Sequence, residues 1–161
     1  MLEVGEQIVL TEVEKTWLAC AIDCEGSVEL QRNRNGASFT PRIRISNTCS
    51  EFIETAQQIL GCGTISTQGN LPNNRKDTHV LSFYSNDIRT FLPEVLPYMI
   101  IKRPQALALS EALEILELRK QGGSLSNPFG WFPKGSEESR KWLEVIYLKI
   151  KDLNKKGRRG A

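Results

Sequence analysis

Two acidic side chains, Asp23 and Glu25, close a run of apolar and small residues that reads WLACAIDCEG from Trp17 to Gly26. The run has the apolar spacing of a helix, and its glycine is a typical helix stop. Carboxylates are unexpected here, because the C-terminal end of a helix carries partial negative charge. Two interpretations follow: an ordinary core helix with two surface acids, or a pair of acids that serves a cation.

Capping residues and the period of the apolar positions predict where this run sits. Thr11 and Glu14 form a capping box, which predicts a motif helix at about residues 12–25. From Ser27 the apolar period changes to that of a strand, and Asn35 with Gly36 is a strong hairpin turn signal. The acids are therefore predicted to lie where a helix passes directly into a hairpin.

The rest of the chain repeats this alternation. Thr48 and Glu51 predict a second capping box and helix, and a second hairpin follows that helix. The later elements are predicted at about 48–60 (helix), 64–69 and 78–84 (strands), and from Asp87, Pro104 and Ser136 (helices). The order is that of an α+β fold, and the length fits one domain over residues 1–161.

Composition limits the class of protein. The 161 residues are 40% hydrophobic and 25% charged, which is typical of a globular domain. No apolar run approaches the about 18 residues of a membrane span, and the N-terminus lacks the pattern of a signal peptide. The four cysteines form no CxxC pair and no zinc-like spacing. We therefore expect an intracellular protein with no membrane contact, in the cytoplasm or an organelle.

The net charge of +2 conceals an uneven distribution. Residues 1–30 carry seven acids and one base, whereas residues 31–50 carry four arginines and no acid. Residues 102–161 carry thirteen bases and seven acids, and they end in a basic tail at 151–161. Such segregation favours a polyanionic partner; the alternative is a solvated tail beside a polar hairpin.

The polar face of the two hairpins predicts which polyanion binds. It is rich in arginine, glutamine and asparagine, which bond two atoms of a base edge in the major groove, although a merely solvated sheet face is also polar. A strand of eight residues spans ~26 Å, or roughly eight base-pair steps. We predict that double-stranded DNA is bound by Glu29, Gln31, Arg32, Asn33, Arg34, Thr40, Arg42, Arg44, Ser66, Gln68, Asn70, Arg75, Lys76, Thr78 and Ser82.

A carboxylate beside a DNA backbone repels it unless a divalent cation bridges carboxylate and phosphate oxygens. Cleavage of both strands needs two such carboxylates, and the chain has one helix that ends in this way. A second copy around a two-fold axis would supply the other, and the small residues Ala19, Cys20, Ala21 and Cys24 would allow the helices to approach closely. The predicted dimer interface comprises Trp17, Leu18, Ala19, Cys20 and Ile22.

The stretch LACAIDCEG resembles the LAGLIDADG motif of the homing endonucleases. Leu18, Ala19, Ile22, Asp23 and Gly26 match the motif, and Glu25 occupies its final acidic position. The resemblance runs from about Thr11 to Lys156 and implies the αββαββα fold, with a saddle-shaped antiparallel DNA-binding sheet and extra C-terminal helices. A single motif implies the homodimeric branch. Glutamate at position 25 and cysteine at positions 20 and 24 depart from the common residues.

The resemblance also implies a metal-dependent active site. The final acid, Glu25, binds Mg²⁺ together with the backbone carbonyl of Cys24, and Mn²⁺ substitutes for it. Asp23 joins the catalytic group chiefly by stabilising the helix end and the interface. Lys102 polarises water or the scissile phosphate, and Asn47 orders the attacking water.

The implied function is site-specific cleavage of DNA. The enzyme makes a staggered double-strand break with short 3′ overhangs in a long pseudo-palindromic target, and the break initiates mobility of the host intron. Two alternatives on the same fold remain: an RNA maturase that binds intron RNA to assist splicing, and a cleavage-inactive DNA-binding protein. His79, the only histidine, is interpreted as a strand residue.

Overall fold

The computed structural model describes residues 9–34, 38–69, 76–121 and 137–159. Its helices are α1 (Glu12–Glu25), α2 (Ser50–Leu60), α3 (Ser85–Val95), α4 (Arg103–Gln121) and α5 (Glu137–Arg159), with a 3-10 turn at Leu96–Tyr98. Its strands are β1 (Gly26–Arg32), β2 (Phe39–Asn47), β3 (Thr64–Gln68) and β4 (Thr78–Tyr84), in the sheet order β1-β2-β4-β3. The predicted α+β fold and its αββαββα order are confirmed. The turn predicted at Asn35 and Gly36 lies outside the described residues.

The chain divides into two compact units. Unit 1 comprises Met1–Ser27 and Arg42–Arg103, and unit 2 comprises Val28–Pro41 and Pro104–Ala161. The core of unit 1 includes Phe83 and Phe91, whose rings meet edge to face with centroids 4.9 Å apart. In unit 2, α5 buries one face through Leu143, Ile146 and Ile150. No helix in the described ranges combines the length and the apolar character that a membrane crossing requires.

The helix α1 begins and ends as its sequence predicts. Thr11 Oγ1 accepts a hydrogen bond from the N–H of Glu14 at 3.3 Å, and the N–H of Thr11 donates to Glu14 Oε2 at 2.8 Å. At the other end, the N–H of Gly26 donates to the carbonyl of Ile22, and β1 starts at once. A Cβ atom at Gly26 would lie 2.5 Å from that carbonyl oxygen, so only glycine fits this junction.

The start of α2 differs from the prediction. The predicted capping box at Thr48 and Glu51 is wrong, because α2 begins at Ser50 and its N-cap residue, Cys49, makes no side-chain capping bond. Asn47 Oδ1 instead accepts from the N–H of Cys49 at 2.9 Å. The amide of Asn47 thus turns the chain before α2, as short polar side chains commonly do.

The C-terminal half also differs in its boundaries. Helix α3 begins at Ser85 rather than Asp87, and α5 continues to Arg159 rather than ending near residue 154. Residues 151–159 of the predicted basic tail are therefore helical backbone. The loop predicted at about 121–135 lies outside the described residues beyond its first position.

Alternation along β2 is confirmed, whereas β4 buries both Val80 and Leu81 in succession. Ile43, Ile45 and Phe83 are completely buried on one face of the sheet. On the other face Arg44 lies opposite Ser82, and Ser82 lies opposite Thr64. A row of polar side chains therefore crosses three strands, as strand periodicity requires.

The glycine at the α1–β1 junction generates a test of the fold. Gly26→Ala is expected to lower the free energy of unfolding by about 1–3 kcal/mol, because the new methyl group overlaps backbone atoms of Ile22 that cannot move independently. Urea unfolding followed by circular dichroism measures the change. Gly69→Ala is the control, since its Cβ would meet only Asp77 Oδ1 at 3.7 Å. Equal stability of the two variants would contradict the tight junction.

Candidate active site

The side chain of Asp23 is buried at the end of α1, with 7% of its surface exposed. Asp23 Oδ2 accepts hydrogen bonds from the N–H groups of Ile100 at 2.7 Å and Ile101 at 3.1 Å. Asp23 Oδ1 accepts from the N–H of Lys102 at 2.8 Å. Three successive backbone donors therefore compensate the desolvation of this carboxylate.

The side chain of Lys102 returns to the same residue. Its Nζ donates to the backbone carbonyl oxygen of Asp23, in the last turn of α1. That turn has no basic residue of its own, so Lys102 supplies the positive charge that the C-terminal end of a helix favours. The sequence places a carboxylate at an unfavourable helix end, and a lysine 79 residues away offsets it.

The electrostatic surroundings of Lys102 bring Glu25 into the same site. Burial lowers the pKa of the Lys102 ammonium from its ordinary value, and electrostatic interaction with Asp23, Cys24 and Glu25 partly opposes that shift. Glu25 is the last residue of α1, and the Lys102 ammonium donates to the Asp23 carbonyl in the same turn. The sequence-predicted residues Asp23, Glu25 and Lys102 come together at one end of α1.

Glu25 and Cys24 are exposed at the end of the helix. The thiol of Cys24 lies 3.9 Å from the thiol of Cys20, one turn earlier, and this contact raises the pKa of Cys24. In the described ranges, no three histidine, cysteine, aspartate or glutamate side chains cluster in a way that could hold a metal. A single exposed carboxylate beside backbone carbonyls fits a hard divalent cation that takes its remaining oxygen ligands from water and phosphate.

Asn47 lies at the end of β2, opposite His79 on β4. Its Oδ1 accepts from Cys49, and the hydrogen bonds described for it involve none of Asp23, Glu25 and Lys102. His79 Nδ1 lies 3.0 Å from Thr67 Oγ1 on β3, consistent with its interpretation as a strand residue. The structure therefore gives Asn47 a turn-forming contact, and its part in catalysis stays a prediction.

The predicted DNA-binding residues of unit 1 lie along β2, β3 and β4. Arg42, Arg44, Ser66, Gln68, Thr78 and Ser82 share the polar face through the strand register. Gln68 lies opposite Thr78 and Arg42 lies opposite Tyr84. Lys76 is exposed just before β4, whereas Asn70 and Arg75 lie outside the described residues.

The predicted DNA-binding residues of unit 2 belong to the first hairpin. Glu29, Gln31, Arg32, Asn33, Arg34 and Thr40 are all at least partly exposed. Asn33 Oδ1 accepts from the N–H of Ser38 at 3.2 Å, which ties together the two strand ends of this hairpin. Glu29 and Gln31 share one face of β1, whereas Arg32 lies on the same face as Val28 and Leu30.

Arg32 makes contacts that the sequence did not predict. Its guanidinium pairs with Glu144 at 2.5 Å and lies over the ring of Tyr147, 5.1 Å from the centroid. Lys151 lies 5.5 Å from the same ring. A cavity of about 440 Å³ is lined by Arg32, Tyr147 and Lys151, together with Glu29, Leu30, Gln31, Ile150, Asn154 and Lys155. The sequence could have indicated the contact between Tyr147 and Lys151, because the two residues lie one turn apart on α5. Their contact with Arg32 on β1 has no local pattern in the sequence.

The predicted dimer interface requires a correction. Leu18, Ala19 and Ile22 are at most 1% exposed within the single chain, so they belong to its own core. The ring of Trp17 is half-buried and stacks against Phe52, with centroids 5.1 Å apart. Cys20 alone of the predicted interface residues is exposed. A helix on the surface of a core buries one stripe, and the small residues there fill that core.

The exposed stripe of α1 lies on its other side. It contains Val13, which is 78% exposed, followed by Thr16, Cys20 and Cys24 at helical spacing. Ile100 and Ile101, whose N–H groups bind Asp23, are 83% and 64% exposed. Unit 1 thus presents apolar and small side chains to solvent both along α1 and beside its end.

The motif helix and the elements that follow it match a known protein family. Residues 12–95, just over half of the chain, match the model of the LAGLIDADG-like domain. No curated protein sequence matches the chain.

Several solved structures with a similar fold are homing endonucleases. One is I-CvuI in complex with a DNA target (TM-score 0.54, 17% identity, 89% of this chain and 96% of that chain). A second is the archaeal intron-encoded I-Vdi141I complexed with DNA (TM-score 0.54, 19% identity, 89% of this chain and 98% of that chain). A third is the LAGLIDADG homing endonuclease I-SmaMI bound to cleaved DNA (TM-score 0.63, 17% identity, 88% of this chain and 44% of that chain). This chain therefore spans less than half the length of I-SmaMI.

Proposed function

The chain belongs to the LAGLIDADG family, and we propose that it is a site-specific DNA endonuclease. It makes a metal-dependent staggered double-strand break in a long pseudo-palindromic DNA target, and the break initiates mobility of its host intron. The observation that carries the proposal is the hydrogen bond from the Lys102 ammonium to the last turn of the motif helix, where Glu25 also lies. A carboxylate that can bind a metal and a cation that offsets charge on the phosphate both favour phosphodiester hydrolysis. The similar structures contain DNA, which supports the same substrate class here.

Glu25 and the backbone carbonyl of Cys24 are the groups that would hold Mg²⁺, with Mn²⁺ as a substitute. When bound, the cation polarises the scissile phosphate and lowers the pKa of coordinated water. Glutamate and carbonyl oxygens are ligands of the hard type that Mg²⁺ prefers, and the exposed position of Glu25 leaves room for water and phosphate.

Lys102 would act on the phosphate by charge. Its ammonium is fixed at the end of α1, so it can offset negative charge that develops on the phosphate without first reorganising. Asn47 is proposed to order the attacking water through its amide. Asp23 contributes differently, because its two carboxylate oxygens already accept three backbone hydrogen bonds.

The polar strand faces would bind the DNA. Arginine side chains on β2 suit both phosphate contacts and bidentate contacts to guanine, and the hydroxyl and amide groups on β3 and β4 suit base edges. Affinity that depends on these charges falls as salt rises. Arg32 is proposed to act from the α5 side, where Glu144 and Tyr147 hold it.

A homodimer would supply the second active site. The proposed contact surface is the exposed stripe of α1, Val13, Thr16, Cys20 and Cys24, rather than the buried residues. The exposed apolar side chains of Ile100 and Ile101 add to it, since contiguous exposed apolar side chains mark interaction surfaces. A two-fold axis at this surface would place two copies of Glu25 close together.

Replacement of the metal-binding carboxylate tests the activity. The substrate is a plasmid that carries the intron-free sequence joining the two flanks of this reading frame, incubated with Mg²⁺. Glu25→Gln is expected to abolish the staggered cut, because the amide binds a divalent cation poorly, and to leave the DNA dissociation constant unchanged or lower. Cleavage on gels and binding by fluorescence anisotropy measure the two effects.

The control for this test is Glu54→Gln, an exposed glutamate on α2 that is expected to cut like the wild type. Cleavage by Glu25→Gln would remove Glu25 from the site. Absence of cleavage by the wild type, with intact folding, would contradict the endonuclease and favour the maturase, for which binding of the intron RNA is the measurement.

A charged side chain on the exposed stripe tests the dimer. Cys20→Arg is expected to convert a dimer into a monomer, because two guanidinium groups would face each other across the two-fold axis. Light scattering at micromolar concentration gives the mass. Cys49→Arg is the matched control, since Cys49 is equally a free exposed cysteine but lies before α2. A wild-type monomer, or a dimer that survives Cys20→Arg, would exclude this surface.

A further inference from the structure

We propose that Asp23 is a positioning residue: its carboxylate clamps residues 100–102 onto the end of α1 and thereby holds the Lys102 ammonium beside Glu25. The inference concerns the geometry of this chain, and its consequence for cleavage rests on the proposed function. Asp23 itself touches no reacting group in this proposal.

Within the described part of one chain, Asp23 accepts hydrogen bonds from all three backbone N–H groups of the segment. Residues 100–102 lie outside helix and strand, between the 3-10 turn and α4. Within the single chain, the side chains of Ile100 and Ile101 are mostly exposed, so burial in the core of the chain does not anchor them. Their N–H groups, with that of Lys102, donate to the one buried carboxylate.

The arrangement requires both oxygens of an aspartate. Oδ2 accepts two hydrogen bonds and Oδ1 accepts the third, so Asp23 faces donors on both sides. An asparagine of the same shape would present an NH₂ group to at least one backbone N–H, and two donors cannot bond each other. A glutamate would keep the charge but place its oxygens one methylene further from the helix.

The clamp fixes Lys102 at two points. Its backbone N–H binds the carboxylate of Asp23, and its ammonium binds the backbone carbonyl of the same residue. Because Asp23 and Glu25 share the last turn of α1, the helix sets the place of the ammonium relative to the Glu25 carboxylate. Although both carboxylate oxygens of Asp23 already accept hydrogen bonds, Asp23 acts on the candidate active site by orienting the ammonium of Lys102.

Nuclear magnetic resonance on the metal-free protein tests the geometry without any cleavage. In the wild type, the amide protons of residues 100–102 are expected to exchange at least about 100-fold more slowly than unprotected amides. The two Hε protons of Lys102 are expected to give distinct signals because the ammonium is held. Those of Lys120, whose side chain is exposed at the end of α4, should coincide. Unprotected amides in the wild type would overturn the proposal.

Two variants test the clamp itself. Asp23→Asn is expected to release the three amides and to merge the Hε signals of Lys102. Lys15 lies on α1 like Asp23, and its ammonium, which pairs with Glu94 of α3 at 2.9 Å, should remain as it is. If Asp23→Asn does not fold, Asp23→Glu is measured instead, with the same expected release of Lys102. Retention of the wild-type signals by a folded variant would overturn the clamp.

A double-mutant cycle tests the consequence for cleavage. Asp23→Asn and Lys102→Met are each expected to lower the single-turnover rate at saturating protein by about 10- to 100-fold. The DNA dissociation constant should stay within about twofold. The double variant should cut no more slowly than Lys102→Met, because Asp23 acts through Lys102.

Two other results of the cycle are informative. If the two losses multiply, Asp23 has a role independent of Lys102, and the proposal is overturned. If the wild type does not cut any DNA while its amide and Hε signals are as expected, the endonuclease proposal fails, and the placement of Lys102 by Asp23 is supported on its own.

Discussion

The buried carboxylate of Asp23 is the constraint on which the candidate site depends. An ion with 7% of its surface exposed is costly to desolvate, by several kcal/mol, unless hydrogen bonds replace the lost water. Three backbone N–H groups do so here, and hydrogen bonds to a charged group contribute about 1.5–3 kcal/mol each. The carboxylate of Asp23 therefore fixes the backbone of residues 100–102, which follow it by 77 to 79 positions. Lys102 then completes the neutralisation at a helix end that otherwise disfavours negative charge.

The helix α1 serves three purposes because its sides differ. One stripe, with Leu18 and Ile22, is part of the core and fixes the position of the helix in unit 1. The opposite stripe is exposed, and its side chains are small enough to permit close approach of another helix. The end carries the acids, and Gly26 lets the strand begin without a loop that would allow the end to move. The buried stripe and Gly26 together therefore fix where the acids lie in unit 1.

The sequence predicts the parts of this arrangement that depend on local rules. The bounds of α1 follow from a capping box and a helix-stopping glycine, and the strand faces follow from a period of two. The contacts of Asp23 were not predictable in this way, because backbone N–H groups occur at almost every position and leave no pattern in the sequence. The pairing of Arg32 with Glu144 was also not predictable, because the two residues are 112 positions apart and no local pattern links them. Thr48 matched the pattern of a helix cap, but in the structure the side-chain oxygen of Asn47 accepts the N–H of Cys49 before α2.

The two acids of the motif are not interchangeable, and their lengths explain the order in which they occur. Asp23 must keep its carboxylate near its own backbone, because the donors of Ile100 and Lys102 converge on a point beside the helix end. The shorter side chain suits that position. Glu25 stands at the last position of α1 with its side chain exposed, where an additional methylene extends the carboxylate away from the protein surface. One acid thus completes the interior of the protein, and the other is left accessible beside a lysine whose place the first has set.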